Sequence, residues 1–415
     1  MSLPTGADVV VVGAGIVGAA CAEALSAAGV RVVVVDRGAP AGGTTAAGEG
    51  NILVSDKEPG PELELAIASR REWSAVLARL PEQVADVEWE SKGGLVVATT
   101  DPKPLEEFAG VQRQAGVDAQ VITPAEAFEL EPLLTRAVTG AVYYPEDAQL
   151  QPVLAATALL AAVRARGGEV RAGVTALSVR RSAAGRVIGL ETDAGEIPCA
   201  AVLNACGPWA GAFSKSAGGP IQVLPRRGMI LVTAPLPECV GRKVYDADYV
   251  GAVGSGEADL QTSTVVESTR AGTVLIGSSR ERIGFDETLR IQVLRELARK
   301  AVGLFPFLAD VAVMRAYGGF RPYAPDHLPV IGPDPRVAGL WHATGHEGAG
   351  IGLAASTGRL ITELFLGLDP QVDPEPFRVD RPAVLDALPT GPGALPAEAG
   401  ASPAGPGALP PGPAA

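Results

Sequence analysis

The chain is poor in the residues that build metal centres and covalent frameworks. Its 415 residues include three histidines and four cysteines, Cys21, Cys199, Cys206 and Cys239. No two cysteines form a C-x-x-C pair, so neither a disulfide framework nor an iron–sulfur ligand run is expected. His342, His346 and Glu347 come nearest to a metal-binding cluster, but Gly345 and the break from strand to loop spoil the spacing, and no metal is expected. So few histidines, and no G-x-S-x-G elbow, argue against a hydrolase. Basic charge is also short: 34 Lys and Arg face 47 Asp and Glu, a net charge of −13. That balance repels phosphate backbones and anionic lipid, so no nucleic-acid partner is expected. The apolar stretch from Val9 to Val35 has the length of a membrane span, but glycines, Glu23 and Arg31 interrupt it. The N-terminus shows no basic region followed by a cleavage site, and the expected setting is a reducing cytoplasm.

What remains is an apolar composition, 47% hydrophobic and 20% charged, sufficient for a large core in one large domain or two interleaved ones. Val9–Val12 predicts a buried strand, Ile16–Ala28 an alanine-rich helix stopped by Gly29, and Val30–Val35 a second buried strand. Further helices are expected over Glu62–Leu80, Pro124–Leu130, Val153–Arg166, Leu289–Val302 and Gly350–Leu366. Glu88–Thr99 carries a strand-pair signal; Val170–Val174, Val187–Thr192, Ala200–Cys206 and "LWHATG" predict single strands. From Ile221 to Gly277, short β-rich runs alternate with turn residues and predict antiparallel sheet. Beyond Asp386 the chain is nearly all Ala, Pro, Gly and Leu and is expected to be a disordered tail.

Between the first strand and helix lies Gly13-Ala14-Gly15-Ile16-Val17-Gly18. In a G-x-G-x-x-G turn the first glycine permits the turn, the second lets backbone approach a pyrophosphate, and the third lets helix and strand pack closely. The helix N-terminus offers unpaired N–H groups and a positive dipole end. Asp36 ends the second strand, at the distance of about 20 residues where an acid accepts ribose hydroxyls. Strand, glycine turn, helix, strand and acid fall in the required order, so the stretch reads as dinucleotide-binding. The acid disfavours a 2′-phosphate, which leaves FAD or NAD.

Several motifs carry a resemblance to the D-amino-acid oxidase and glycine oxidase family of FAD-dependent amine oxidoreductases. They are the glycine turn, Asp36-Arg37, the Gly43-Thr44-Thr45-Ala46 loop running on to Gly50-Asn51, "NACGPWAG" at Asn204–Gly211, "GFRP" at Gly319–Pro322, and the run from Gly345 to Gly352. The resemblance spans nearly all of residues 7–370, and "AAGEGNILVSDKEPGPELELA" looks most like the β-subunits of D-hydroxyproline dehydrogenases. It implies FAD, held without a covalent bond because no cysteine follows Cys239. It implies a two-domain α/β architecture: a glutathione-reductase-like Rossmann domain from 1–87, 141–219 and 315–385, and an inserted mixed or antiparallel-sheet substrate domain from 88–140 and 220–314. The reaction it implies is oxidation of a D-amino acid or secondary amino acid, of the D-hydroxyproline, sarcosine or glycine type, to the imine by hydride transfer to flavin N5.

For the cofactor the resemblance points, besides the glycine turn and Asp36-Arg37, to Val174, Cys206, Gly207, Trp209, Gly319 and the loop Gly345-His346-Glu347-Gly348-Ala349-Gly350-Ile351. Arg321 is expected to clamp the substrate carboxylate, since a guanidinium grips it in a planar, bidentate fashion. Tyr323, two residues on, is expected to line the pocket; Tyr245 or Tyr249 could supply a lid hydroxyl, and His346 could move a proton. Partner subunits bearing flavin or iron–sulfur groups are an expectation of the same resemblance. Two alternatives stand beside it: an FAD-binding subunit inactive alone, and an NADPH-dependent flavin monooxygenase. The second lacks both a further G-x-G-x-x-G and the Gly-Asp motif usual before the final helix.

Overall fold

The computed structural model describes residues 6–247 and 259–385; Tyr249 and the expected tail lie outside the described residues. Two eight-stranded sheets organise the chain. The first is built on five parallel strands, in the order Leu340–Thr344, Gly195–Asn204, Ala7–Val12, Val32–Asp36 and Glu169–Ala172. Val330–Pro333 adds an antiparallel edge, and Ala176–Arg181 and Val187–Thr192 form an antiparallel extension on Gly195–Asn204. Its strands are valine-rich on both faces because both are covered. On one face Ile16–Ala27, Pro152–Ala165 and Gly350–Leu366 bury Ala19, Leu25, Leu159 and Leu353 against Val9, Val11 and Val34. On the other, Phe213 and Leu340 close over Val10, Val12, Val33 and Val35. The glycine turn therefore sits at the carboxyl end of the central strand, where open α/β sheets bind ligands.

The second sheet runs Val313–Tyr323, Leu224–Thr233, Val274–Arg280, Gln261–Ser268, Lys243–Asp246, Gly94–Ala98, Gly140–Tyr144 and Gln120–Ile122. One face is sealed by the amphipathic helix Ile291–Leu304, whose Val293, Leu297, Ala301 and Leu304 pack on Met229, Leu231, Val266 and Ile276. The opposite face carries Gly228, Ile230, Gly319 and Arg321 to the cavity described below. All its pairings are antiparallel except Lys243–Asp246 beside Gly94–Ala98, so the sheet is mixed, while the strands within 221–277 pair antiparallel with one another as expected.

Two expectations are corrected, and one helix was not expected. Glu88–Thr99 holds one strand, Gly94–Ala98, and an isolated bridge from Glu90 to Gln149. Its Lys-Gly-Gly centre resembles a hairpin turn, yet the Glu90 and Gly93 amides bond to Gln149 and Asp147, so the two halves never pair with each other. The domain boundaries also shift: Gly140–Tyr144 and Val313–Tyr323 belong wholly to the second sheet, although 141–219 and 315–385 were expected in the first domain. Gly140–Tyr144 pairs with Gly94–Ala98 and Gln120–Ile122, and Val313–Tyr323 pairs along its length with the sequence-distant Leu224–Thr233. Finally, Lys103–Gln114 is a helix that the polar sequence did not announce, anchored by Leu105 and Ala109.

Candidate functional site

Between the first sheet and the bare face of the second lies a cavity of about 770 Å³, within the range for sites that enclose a cofactor. Its lining runs from Gly13, Gly15, Asp36 and Val174 through Thr44, Thr45 and Cys206 to Arg321, His346 and Gly350. Gly13 has φ +111°, and a Cβ there would come within 2.3 Å of the Ala205 carbonyl oxygen. Only glycine lets the turn pass that close to the neighbouring strand. The Ala14 amide donates to Asp36 Oδ2 at 2.7 Å and the Gly38 amide to Oδ1 at 2.8 Å, so the carboxylate is fixed while its remaining lone pairs stay available. At the helix start the Ile16 amide donates to Thr45 Oγ1 at 2.9 Å. Gly15 and Val17, which line the cavity, keep first-turn N–H groups that the helix itself does not use. Thr44 Oγ1 donates to the Phe320 carbonyl at 2.6 Å and ties this loop to the second sheet. These features suit a dinucleotide: glycine turn, fixed acid and helix N-terminus share one elongated hollow.

Arg37 stacks 4.3 Å from the Trp209 ring, which stacks on Phe285 at 5.3 Å, which meets Phe320 edge-on at 5.2 Å. This ladder closes one side between the two sheets. Cys206 lines the cavity and reaches the Val12 carbonyl at 3.5 Å; burial pushes its thiol up to about 12, so it is inert packing. Val174 spends its amide on the Asp36 carbonyl at 2.9 Å and has only its carbonyl left for a ligand.

The loop before Gly350–Leu366 and the first turn of that helix bring His346, Glu347, Gly348, Gly350 and Ile351 to the cavity wall. His346 is 2% exposed, and burial pushes its pKa down to about 3. The Thr357 hydroxyl donates to the Leu353 carbonyl at 2.9 Å, so it must accept from His346 Nε2–H at 3.0 Å. The imidazole is then neutral, with Nδ1 a bare acceptor that has no partner among the described residues. A histidine kept neutral in the fold but free to charge in the unfolded chain costs nothing above pH 6.5 and lowers stability as pH falls from 6.5 toward 3. His346→Asn is therefore expected to flatten that decline, by up to about 1.4 kcal/mol per pH unit, in urea midpoints taken from pH 7 to pH 4. An unaltered slope would contradict the buried neutral state.

Glu347 adopts φ +46° and bonds to Arg226 at 3.0 Å and to His327 Nδ1 at 3.3 Å. Burial raises its carboxyl, but the His327 hydrogen bond and the Arg226 charge outweigh that and hold it below the usual range. Arg321 reaches the cavity from the edge of the second sheet and donates from Nη1 to the Ser279 carbonyl at 2.9 Å. Its guanidinium lies over Gly228, where a Cβ would approach within 2.3 Å, while a Cβ on Gly348 would stand 3.6 Å from Nε. Two glycines thus make the slot that this side chain occupies.

Gly43, Asn51, Gly207 and Gly319 also line the cavity; Ala14, Gly18, Ala46, Gly50, Gly345 and Ala349 do not. Gly18 packs the helix on the Gly13 carbonyl, Gly50 abuts the Leu150 carbonyl, and Gly345 abuts Ala324 and Val330. Ala46 is exposed, and the Ala349 amide bonds to the His346 carbonyl. These shape the walls from behind. Tyr323 is off the wall: its ring sits 5.6 Å from the Arg226 and 5.0 Å from the Arg282 guanidinium, because the strand ends in contact with His346. Tyr245 is no lid. It is fully buried and donates to Ser55 Oγ, which donates to Asp147, a carboxyl that burial pushes up to about 7. His342 bonds to Asn204 and Asp334 beneath the first sheet, and among the described residues no group of acids, histidines and cysteines could hold a metal. No helix of the described residues is long and apolar enough to cross a membrane.

Wall residues that sequence reasoning missed include Glu49, Thr175, Gly228, Ile230, Arg280, Phe320 and Thr344. Glu49 left a signal, a lone acid in a neutral small-residue loop. Gly228 and Arg280 left none, since only strand pairing brings them to the cavity.

The family model for FAD dependent oxidoreductases, DAO, matches residues 8–364. The chain is 30% identical to a glycine oxidase of Pseudomonas aeruginosa, over 89% of this chain and 97% of that one. It is also 30% identical to the hydrogen cyanide synthase subunit HcnC of the same organism, over 87% and 94%. The crystal structure of glycine oxidase from Geobacillus kaustophilus superposes with a TM-score of 0.82 at 27% identity, covering 90% of this chain and 98% of that one. The family match takes in the glycine turn, Asp36 and Arg321 and spans most of the chain, which belongs to the DAO family of FAD-dependent oxidoreductases.

Proposed function

We propose that this protein oxidises the carbon–nitrogen bond of an α-amino acid or secondary amino acid of the glycine, sarcosine or D-hydroxyproline type. The observation that carries the reading is Arg321, a guanidinium slotted between Gly228 and Gly348 on the wall of the cavity that the glycine turn also lines. Bound FAD supplies the hydride acceptor. Arg321 grips the substrate carboxylate and fixes the position of Cα–H, so orientation provides much of the rate. The Gly15 and Val17 amides and Asp36 hold the cofactor's phosphates and ribose. Neutral His346 offers Nδ1 as a hydrogen-bond acceptor and carries no proton through the cycle. The Arg37–Trp209–Phe285–Phe320 ladder shields the cavity from water on one side.

The test is anaerobic. Purified holoprotein is mixed with glycine, sarcosine, cis-4-hydroxy-D-proline and a panel of D-amino acids while the flavin band is followed. Bleaching by at least one of them is expected; bleaching by none would defeat the reading. A relative that is named as a subunit favours a refinement, in which the electrons leave to a partner flavin or iron–sulfur subunit. Turnover with oxygen is then slow and a dye acceptor restores it, whereas rapid peroxide release would show an oxidase.

A further inference from the structure

Glu49 is a carboxylate that the fold has buried without completing. It is 9% exposed, lines the cavity, and accepts at Oε2 from Asn51 Nδ2 at 3.1 Å. Oε1 is buried and has no hydrogen-bond partner among the described residues. The residue cannot easily turn away. Gln149 Nε2 donates to its backbone carbonyl at 3.3 Å, and a Cβ on Gly277 would lie 2.4 Å from Oε1. An unsatisfied buried carboxylate oxygen costs more than an unsatisfied neutral group, because a charge loses more hydration. A ligand that brings an N–H would remove that cost.

The loop holding Glu49 also lies close to the proposed carboxylate clamp. Ala47 packs over Gly319, two residues before Arg321 on the same strand, and Glu49 over Gly277, three residues before Arg280. An acceptor for nitrogen and a donor pair for a carboxylate therefore share one region of the wall. We propose that Glu49 Oε1 receives the N–H of the substrate amine and so restricts the site to amino acids with a proton on nitrogen, primary or secondary. This rests on the amino-acid reading above.

Two flat carboxylates that cannot be oxidised differ in only this respect: pyrrole-2-carboxylate presents an N–H where furan-2-carboxylate presents a bare oxygen. Their dissociation constants are read on the oxidised holoenzyme from the shift they cause in the flavin spectrum. The wild type is expected to prefer the pyrrole by about tenfold or more. Glu49→Leu should bring the pyrrole to the level of the furan, with furan binding unchanged or tighter. Glu49→Gln keeps the volume and an acceptor oxygen and should retain part of the preference. It also serves if the leucine variant fails to hold FAD, since an unchanged ratio in Glu49→Gln would overturn the proposal. Equal weakening of both ligands would assign Glu49 a structural role only and overturn it too. A wild type that binds both acids without preference overturns the role of Glu49 alone. A wild type that binds neither overturns the amino-acid reading, and the proposal with it.

Discussion

Arg321→Ala is expected to lower kcat/KM for amino acid substrates by about a thousandfold, mostly through KM, with the flavin still bound. A hydrogen bond to a charged group contributes roughly 1.5–3 kcal/mol, and a bidentate guanidinium–carboxylate pair makes two of them, so about 4 kcal/mol, or three powers of ten, is the natural scale. Arg321→Lys keeps the charge but loses the planar fork, and most of the deficit should remain. Gly228→Ala supplies a control on geometry. The Cβ it adds would lie 2.3 Å from Arg321 Nη1, so the guanidinium must leave its slot. KM should rise about tenfold without any loss of charge, and adding Gly228→Ala to Arg321→Ala should cost little more, since both act on one contact. Unchanged steady-state kinetics in Arg321→Ala would remove the clamp from the mechanism.

The sequence reading reached residues of the cavity wall where the wall is built from local pattern and missed them where it is built from strand pairing. Gly13 to Asp36 is one contiguous βαβ unit, so turn, helix and acid could be read in order, and the family resemblance extended that reading to the loops at 43–51 and 345–351. Arg321 was legible through its "GFRP" context. The rest of its surroundings was not: Gly228 and Arg280 reach the cavity only because Leu224–Thr233 pairs with Val313–Tyr323 on one side and Val274–Arg280 on the other. Tyr323 shows the opposite error. Two-residue periodicity put it on the face of Arg321, and there its ring meets Arg226, the cross-strand partner of Arg321, and Arg282, but it does not reach the cavity wall. Tyr245 keeps its expected strand, and its hydroxyl is spent on the buried Ser55–Asp147 pair. Glu49 was in plain view and passed over, because a single acid in a loop carries no periodicity; its meaning came from burial and an unpartnered oxygen.

Gly13→Ala should have the second large effect, and on cofactor retention rather than on substrate. Gly13 stands at φ +111°, where an L side chain costs roughly 1–3 kcal/mol in backbone strain alone. The added Cβ would also press within 2.3 Å of the Ala205 carbonyl oxygen, which belongs to backbone and cannot swing aside. The turn must then move, and with it the Ala14 amide that orients Asp36 and the helix start that lines the cavity. A tenfold or greater loss of bound flavin per chain is expected, measured by the ratio of flavin to protein absorbance, together with a lower Tm that added FAD partly restores. Gly29→Ala separates strain from site. Its φ is +84°, yet a Cβ there meets nothing within 4 Å, so it should lower stability by about 1 kcal/mol and leave flavin content intact. If both variants lost stability alike while Gly13→Ala kept its full flavin, the turn would be a structural bend, and the cofactor's phosphates would have to be held elsewhere along the cavity.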